Sequence, residues 1–234
     1  MIACFIIIGI AVFLLVWYII CKSRKYDLKE LFLKTGISLL FVIVALVATI
    51  SSNKFTIFNL LVILGLIFGL VGDILLDLKY VDYDRTVGYS YAGFITFGIG
   101  HILFITALIM NYYNGGSVLH IIIPIIADII LSIVTILMEK PLKLKYGRYK
   151  IISFCYAICL FGTCVFSLSL AILNGFSIIS LNMFFIGSVL FVLSDLVLSG
   201  TFFGEGKERP IDFILNYITY YGAQFTIAML LLFL

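Results

Sequence analysis

The chain of 234 residues is 64% hydrophobic and 12% charged, with a mean hydropathy of +1.26 and a net charge of +3. A water-soluble domain carries about 25% charged residues, so this composition excludes an ordinary soluble fold. The small positive charge is spread over the loops between apolar stretches and does not indicate nucleic-acid binding. We therefore expect an all-α, multi-pass integral membrane protein, located in the cell membrane if the chain is bacterial.

Eight apolar stretches are long enough to span a bilayer, because a helical span needs about 20 apolar residues. In chain order they are 1–21, 31–50, 57–78, 91–111, 117–138, 151–173, 176–199 and 213–234. The first stretch lacks a basic start and exceeds the apolar core of a signal peptide, so we interpret it as a retained span. The eight stretches use most of the chain, which predicts a bundle of eight transmembrane helices and a single integral membrane domain over residues 1–234.

Basic residues in the loops predict the orientation of this bundle. The loops after spans one, three, five and seven hold thirteen Lys and Arg residues, whereas the alternate loops hold only Lys54. The thirteen are Lys22, Arg24, Lys25, Lys29, Lys79, Arg85, Lys140, Lys143, Lys145, Arg148, Lys150, Lys207 and Arg209. Because positively charged loops stay in the cytoplasm, both termini are predicted to be non-cytoplasmic.

Three carboxylates lie inside two of the apolar spans: Asp73 and Asp77 in the third, and Asp195 in the seventh. An ionisable group at that depth is costly and usually faces a protein interior or a water-filled cavity at a functional site. Asp73 and Asp77 are four residues apart and share one helix face. We expect Asp77 to reach interfacial water, because it is close to the end of its span. Asp73, one turn deeper, and Asp195 are therefore the carboxylates for which a functional role is favoured.

The predicted orientation places two further polar residues at a similar depth, in the cytoplasmic half. Lys34 lies near the start of span two, and Ser194 directly precedes Asp195. Lys34 either extends to the lipid headgroups, or acts as counter-ion to the buried carboxylates, or binds a lipid phosphate. Both residues are candidates for substrate binding, together with Asp77.

Spans four, five and eight contribute further polar candidates. His101 lies near the middle of span four, and Tyr220, Tyr221 and Gln224 lie in span eight. Gln224 follows the tyrosines by three or four residues, so one tyrosine and Gln224 are expected to point into the bundle together. Asp128 of span five is interpreted as a buried hydrogen-bonding group or as a partner of His101 or Lys34.

The residue types limit the chemistry that such a site can perform. The two histidines, His101 and His120, lie at different depths, so a multi-histidine zinc site is not expected. There is no GxSxG segment and no CxxC pair, and GLVGD differs from the GxGD motif of intramembrane aspartyl proteases. Two carboxylates without a metal or other cofactor suit acid-catalysed opening of an acetal-like or vinyl-ether bond, as in glycosidases.

Five segments together resemble one family of membrane proteins. They are LKTG at Lys34, GLVGDILLDL, GFITFGIGHILFI, GSVLFVLSDLVLSG and ITYYGAQFTIA. Their order, with GD, GxxH, SD and YYxxQ, resembles the YhhN-type lysoplasmalogenase family of eight-span membrane proteins. The resemblance runs from about residue 30 to the end of the chain. Thr35 is a departure, because relatives often carry proline after the lysine.

This resemblance implies hydrolysis of the vinyl-ether bond of lysoplasmalogen to a fatty aldehyde and a glycerophospho-headgroup compound. It implies Asp73 and Asp195 as the catalytic aspartates, with His101, Tyr221 and Gln224 at matching polar positions. The expected partners are a lysophospholipid substrate and the lipid bilayer, and the sequence does not indicate the oligomeric state.

Two other functions use the same carboxylates. A proton-coupled transporter or lipid-binding membrane protein would employ them as proton carriers or as binding groups. Transporters of this kind often contain inverted repeats and helices broken by Pro or Gly, and we find neither pattern in the sequence. Intramembrane proteolysis is a third alternative.

Overall fold

A computed structural model describes residues 1–21, 28–115, 117–204 and 209–234. The described residues form eight α-helices, and their only β-type pairing is an isolated bridge between Leu144 and Gly204. The helices are α1 Ile2–Cys21, α2 Leu28–Ser52, α3 Ile57–Leu78, α4 Thr86–Tyr112, α5 Leu119–Leu137, α6 Lys150–Leu173, α7 Ile179–Phe203 and α8 Pro210–Met229. The predicted all-α bundle of eight helices is confirmed.

Helices α1 to α7 are each long and apolar enough to cross a membrane. Helix α8 is less apolar because it carries the polar side chains of Asn216, Tyr217, Tyr220 and Gln224. Helices α2, α4 and α7 extend beyond the predicted spans, since polar residues at a helix end are compatible with helical backbone. The orientation of the bundle and the single domain stay predictions. Lys22, Arg24, Lys25 and Lys207, which contributed to that orientation, lie outside the described residues.

Six of the helices form a closed ring around the interior of the protein. In order around the ring, α2 contacts α3, α3 contacts α4, α4 contacts α6, α6 contacts α7, α7 contacts α8, and α8 contacts α2. Helix α1 packs outside the ring against α2 and α8, and α5 packs outside it against α6. Most side chains of α1 and α5 are therefore exposed, as expected for helices that face lipid.

Glycines allow α3 and α4 to pack closely within this ring. A methyl group on Gly100 would lie 3.0 Å from the carbonyl oxygen of Gly65, so a larger residue would push the helices apart. Small residues at such contacts let helix backbones approach each other in a membrane. Gly69 has a different effect, because a methyl group there would lie 2.9 Å from Nε2 of Gln224. The absence of a side chain at Gly69 makes room for a polar group from α8.

The segment between α5 and α6 folds back onto the end of α7. The backbone N–H of Lys145 donates to the carbonyl oxygen of Phe203 at 2.8 Å, next to the isolated bridge. Leu144, Tyr146 and Phe203 form a small second core with partly buried aromatic neighbours. This cluster lies at the end of the bundle where α1, α3, α5 and α7 end, which we call the basic end.

Candidate active site

A cavity of about 100 Å³ lies inside the ring of helices, towards the basic end. All six helices of the ring contribute side chains to its wall, so no short stretch of sequence contains the site. Its polar lining residues are Lys34 from α2, Asp73 and Asp77 from α3, Tyr156 from α6, Ser194 and Asp195 from α7, Asn216, Tyr217 and Tyr220 from α8, and Lys79 and Tyr80 just after α3. We refer to this space as the charged cavity.

Asp73 is held by groups from two neighbouring helices. Its carboxylate is 4% exposed, and Oδ2 accepts hydrogen bonds from Ser38 Oγ and from the Tyr220 hydroxyl, each at 2.7 Å. The Lys34 ammonium lies 3.8 Å from the other oxygen, Oδ1. Two donors and a nearby cation stabilise negative charge on a carboxylate. These contacts offset part of the cost of burying a charge at Asp73.

Asp77 forms the closest ion pair in this cavity. Its Oδ1 lies 2.8 Å from Lys34 Nζ, and both residues are buried. The expectation that Asp77 reaches interfacial water is wrong, because α2 packs against this face of α3 and covers the carboxylate. Of the three interpretations of Lys34, the structure shows the counter-ion: its ammonium lies between two carboxylates one helical turn apart.

Asp195 has a different environment from that of Asp73. Oδ2 of Asp195 accepts a hydrogen bond from the Tyr156 hydroxyl of α6, and the side chain is only partly buried. Within the described part of the chain, no ion pair involves Asp195. The charged cavity thus contains two carboxylates beside Lys34 and a third, Asp195, whose described hydrogen-bond donor is a phenol.

A second cavity of about 70 Å³ adjoins the charged cavity and is almost entirely apolar. We call it the apolar cavity; it reaches residues of α6, α7 and the α5–α6 segment, including Ala157 and Leu160. The two cavities share a wall made of Leu76, Phe94, Tyr156, Asp195, Leu198 and Phe202. Asp195 and Tyr156 therefore stand at the boundary between a charged space and an apolar one.

The polar residues predicted on α8 all point into the bundle. Tyr220 bonds directly to Asp73, whereas Tyr221 contacts Ser38 Oγ at 3.1 Å and donates to the Lys34 carbonyl oxygen at 3.4 Å. Gln224 Nε2 donates to the Tyr220 hydroxyl at 3.0 Å. The sequence predicted one inward tyrosine, and the structure has two because both hydroxyls find partners on α2 or α3.

Ser194 and His101 lie near the aspartates without a described hydrogen bond to either. Ser194 lines the charged cavity and exchanges hydrogen bonds with Asn216, at 2.9 Å from Nδ2 and 3.3 Å to the carbonyl oxygen. His101 Nδ1 lies 3.0 Å from Thr163 Oγ1, and its ring packs against Phe191 and Tyr156. Tyr156, which the His101 ring contacts, is the hydrogen-bond donor to Asp195.

Asp128 lies away from both cavities. It is buried between α5 and α6, where Ser132 Oγ donates to its Oδ1 at 3.4 Å. Of the interpretations made from the sequence, the buried hydrogen bond is confirmed and the pairing with His101 or Lys34 is wrong. In the described ranges, no group of three or more His, Cys, Asp and Glu residues forms a metal-binding cluster.

Sequence reasoning missed several lining or bonding residues, namely Ser38, Lys79, Tyr156, Asn216 and Tyr217. The sequence contained an indication that Ser38 belongs to the site, because Ser38 follows Lys34 by one helical turn on the same face. It contained no such indication for Tyr156, because span six has no charged residue near it. Lys79 was counted only as a loop charge. Its burial lowers its pKa to about 7, with Lys34 acting in the same direction and Asp77 in the opposite one.

The fold and the site together define a polytopic α-helical membrane protein with a buried, carboxylate-rich cavity. The chain belongs to the YhhN family, whose family model matches residues 29–231. The match covers nearly the whole chain and includes every residue named for the cavity. Comparisons with curated proteins and with solved structures return no significant match.

Proposed function

We propose that this protein is a hydrolase that cleaves the vinyl-ether bond of lysoplasmalogen. The observation that carries the proposal is the pair Asp73 and Asp195, which line one buried cavity and are each bonded by a tyrosine hydroxyl from another helix. A pair of carboxyl groups in different environments can divide acid and base roles. Membership of the YhhN family is consistent with hydrolysis.

The surroundings of the two aspartates suggest which role each takes. Asp73 has two hydroxyl donors and the Lys34 ammonium close by, so we assign it the ionised form and the role of base. Asp195 has no described cation as partner and faces the apolar cavity, so we assign it the protonated form and the role of acid. Tyr220 and Tyr156 then act as positioning residues for the two carboxyl groups.

The proposed reaction consumes one water molecule and needs no redox partner. The Asp195 carboxyl donates its proton to the vinyl carbon that is not bonded to oxygen, and an oxocarbenium ion forms. Water adds to this cation while the Asp73 carboxylate accepts a proton from the water. The resulting hemiacetal passes its hydroxyl proton to the glycerol oxygen as the carbon–oxygen bond to the glycerol breaks, giving a fatty aldehyde and the glycerophospho compound. Transfer of the proton from Asp73 back to Asp195 restores both groups.

The two adjoining cavities fit an amphiphilic substrate with one hydrocarbon chain. The charged cavity suits a polar headgroup, and the apolar cavity suits a chain, because apolar surface is favourably removed from water there. A bond at the junction of headgroup and chain would lie beside Asp195 and Tyr156, which line both spaces. The vinyl ether of lysoplasmalogen is at that junction.

An aldehyde-release assay tests this proposal. Purified protein in detergent is given lysoplasmenylethanolamine, with an ester lysophospholipid as the control substrate and EDTA present in a parallel reaction. We expect aldehyde from the vinyl ether alone, and Asp73→Asn and Asp195→Asn should each lower kcat at least about 100-fold. Asp128→Asn is the matched control, because Asp128 is also a buried aspartate of a span but lies outside the cavity.

Two results would contradict the proposed hydrolysis. Folded wild-type protein that releases no aldehyde would exclude the reaction, and proton-coupled flux in liposomes would then be measured for the transporter alternative. Normal turnover by Asp73→Asn would exclude the two-aspartate mechanism. The six helices that line the charged cavity run without a break in the structure, unlike the interrupted helices common at transporter sites.

A further inference from the structure

The charged cavity contains a second buried lysine that the proposed reaction does not use. Lys79 is the first residue after α3, is 8% exposed, and lines the same cavity as Lys34 and the three aspartates. Burying an ammonium without a compensating charge is costly, so such a residue calls for a ligand or a partner. The contacts of Lys79 show whether another group of the protein already compensates its charge.

The neighbours of the Lys79 ammonium are aromatic rings. Nζ lies 3.7 Å from the centroid of the Phe202 ring and 4.7 Å from that of Tyr80. Among the described residues, no carboxylate forms an ion pair with Lys79. Aromatic faces attract a cation but accept none of its three N–H donors as a carboxylate would. Lys79 thus keeps its donors for another acceptor.

Lys34 is not equivalent, although it is the other lysine of this cavity. Its ammonium lies 2.8 Å from Asp77 and 3.8 Å from Asp73, so two carboxylates already compensate its charge. Among the described residues, the charged groups that act on Lys79 are Lys34 from α2 and Asp77 from α3, and its described contact from α7 is the apolar ring of Phe202. An anion that enters the cavity would gain more from Lys79 than from Lys34.

We propose that Lys79 binds the phosphate group of the substrate and thereby holds the headgroup in the charged cavity. This inference rests on the proposed function and names the residue that recognises the headgroup. A phosphate supplies acceptor oxygens and a negative charge, and no described carboxylate forms an ion pair with this ammonium. Phe202, which contacts Lys79, also lines the apolar cavity, so the anchor lies next to the proposed chain site.

Binding of substrate analogues that cannot be cleaved tests this proposal without turnover. The probes are a saturated 1-O-alkyl lysophosphatidylethanolamine and the matching 1-O-alkylglycerol, which has the same chain and no phosphate. Both are measured at about pH 6, where the Lys79 ammonium predominates. We expect Lys79→Met to weaken binding of the phosphate-bearing probe about 10- to 100-fold and to leave binding of the alkylglycerol unchanged.

Two further variants separate charge recognition from a structural role. Lys79→Arg keeps the cation and should bind the phosphate-bearing probe within about threefold of wild type. Lys54→Met removes a lysine near the opposite end of the bundle, where Nζ donates to the carbonyl oxygen of Leu234, and should bind both probes normally. Equal loss of both probes in Lys79→Met, or unchanged binding of both, would overturn the proposal.

Inorganic phosphate and glycerophosphoethanolamine distinguish the source of the phosphate group. We expect glycerophosphoethanolamine to compete weakly with the lipid probe and inorganic phosphate not to compete at the same concentration. Competition by inorganic phosphate at the affinity of the lipid would overturn the assignment of a lipid headgroup. If no aldehyde is released in the earlier assay but phosphate-dependent binding is lost in Lys79→Met, the anion site stands and the hydrolysis does not.

Discussion

Removal of the Lys34 ammonium should destabilise the fold, and the structure allows the size of the effect to be estimated. Lys34→Met keeps most of the side-chain volume but leaves Asp73 and Asp77 without the cation at 3.8 and 2.8 Å. The side chains of Lys34 and Asp77 are 10% and 5% exposed, so water screens the pair little. Breaking such a buried pair from one side costs about 3–5 kcal/mol, because a charge remains buried.

The double variant Lys34→Met, Asp77→Asn should recover most of that loss. It removes both charges of the closer pair, and the remaining cost is the lost contact between Lys34 and Asp73. The free energy of unfolding is measured for wild type, both single variants and the double variant in the same detergent, and we expect a coupling energy of about 3 kcal/mol. A double variant as unstable as Lys34→Met would refute the reasoning.

An exposed ion pair supplies the control for this measurement. Arg209 and Asp212 are paired at 2.8 Å at the start of α8, but the arginine side chain is 73% exposed. Arg209→Gln should change the free energy of unfolding little, because water and salt screen an exposed pair. A large loss in this control would show that charge removal acts through the detergent and not through the buried pair.

Three further predictions follow from the two cavities. Tyr156→Phe and Tyr220→Phe should each lower kcat for aldehyde release about 10-fold through loss of one hydrogen bond to an aspartate. The control is Tyr112→Phe, which loses a hydrogen bond to Ser180 and should keep the wild-type kcat. Equal kcat in all three variants would contradict the positioning roles. Ala157→Phe should fill the apolar cavity and raise KM for long-chain substrates at least about 10-fold over short-chain ones, so an unchanged chain-length profile of KM would exclude this cavity as the chain site. Binding of the phosphate-bearing analogue should weaken as pH rises through about 7, because Lys79 loses its proton. In a binding titration from pH 6 to 8, the Lys79→Arg variant should bind the analogue equally at every pH.

The helices of this protein could be predicted from its sequence because lipid imposes a simple rule. A chain that crosses hydrocarbon must satisfy its backbone hydrogen bonds internally, so each long apolar stretch becomes a helix. The same rule makes Asp73 and Asp195 conspicuous, since a carboxylate inside such a stretch needs a protein environment. The eight helices therefore follow from hydropathy and position along the chain, whereas the catalytic roles predicted for Asp73 and Asp195 also needed the family resemblance.

Only the tertiary structure decided which polar groups meet. Hydropathy gives the depth of a residue but not the rotation of its helix or the neighbours of that helix in the bundle. The contact between α2 and α8 closes the ring and brings Ser38 and Tyr220 to one oxygen of Asp73. Coverage of α3 by α2 turns Asp77 from an expected interfacial group into the buried partner of Lys34.

Tyr156 and Lys79 are site residues that the sequence did not distinguish from their neighbours. A tyrosine in an apolar span and a lysine in a loop are ordinary in a membrane protein and have local explanations in the sequence. They become part of the site because α6 lies beside α7 and because Phe202 of α7 packs over the end of α3. Those contacts depend on packing between helices far apart in the chain, which local hydropathy does not encode.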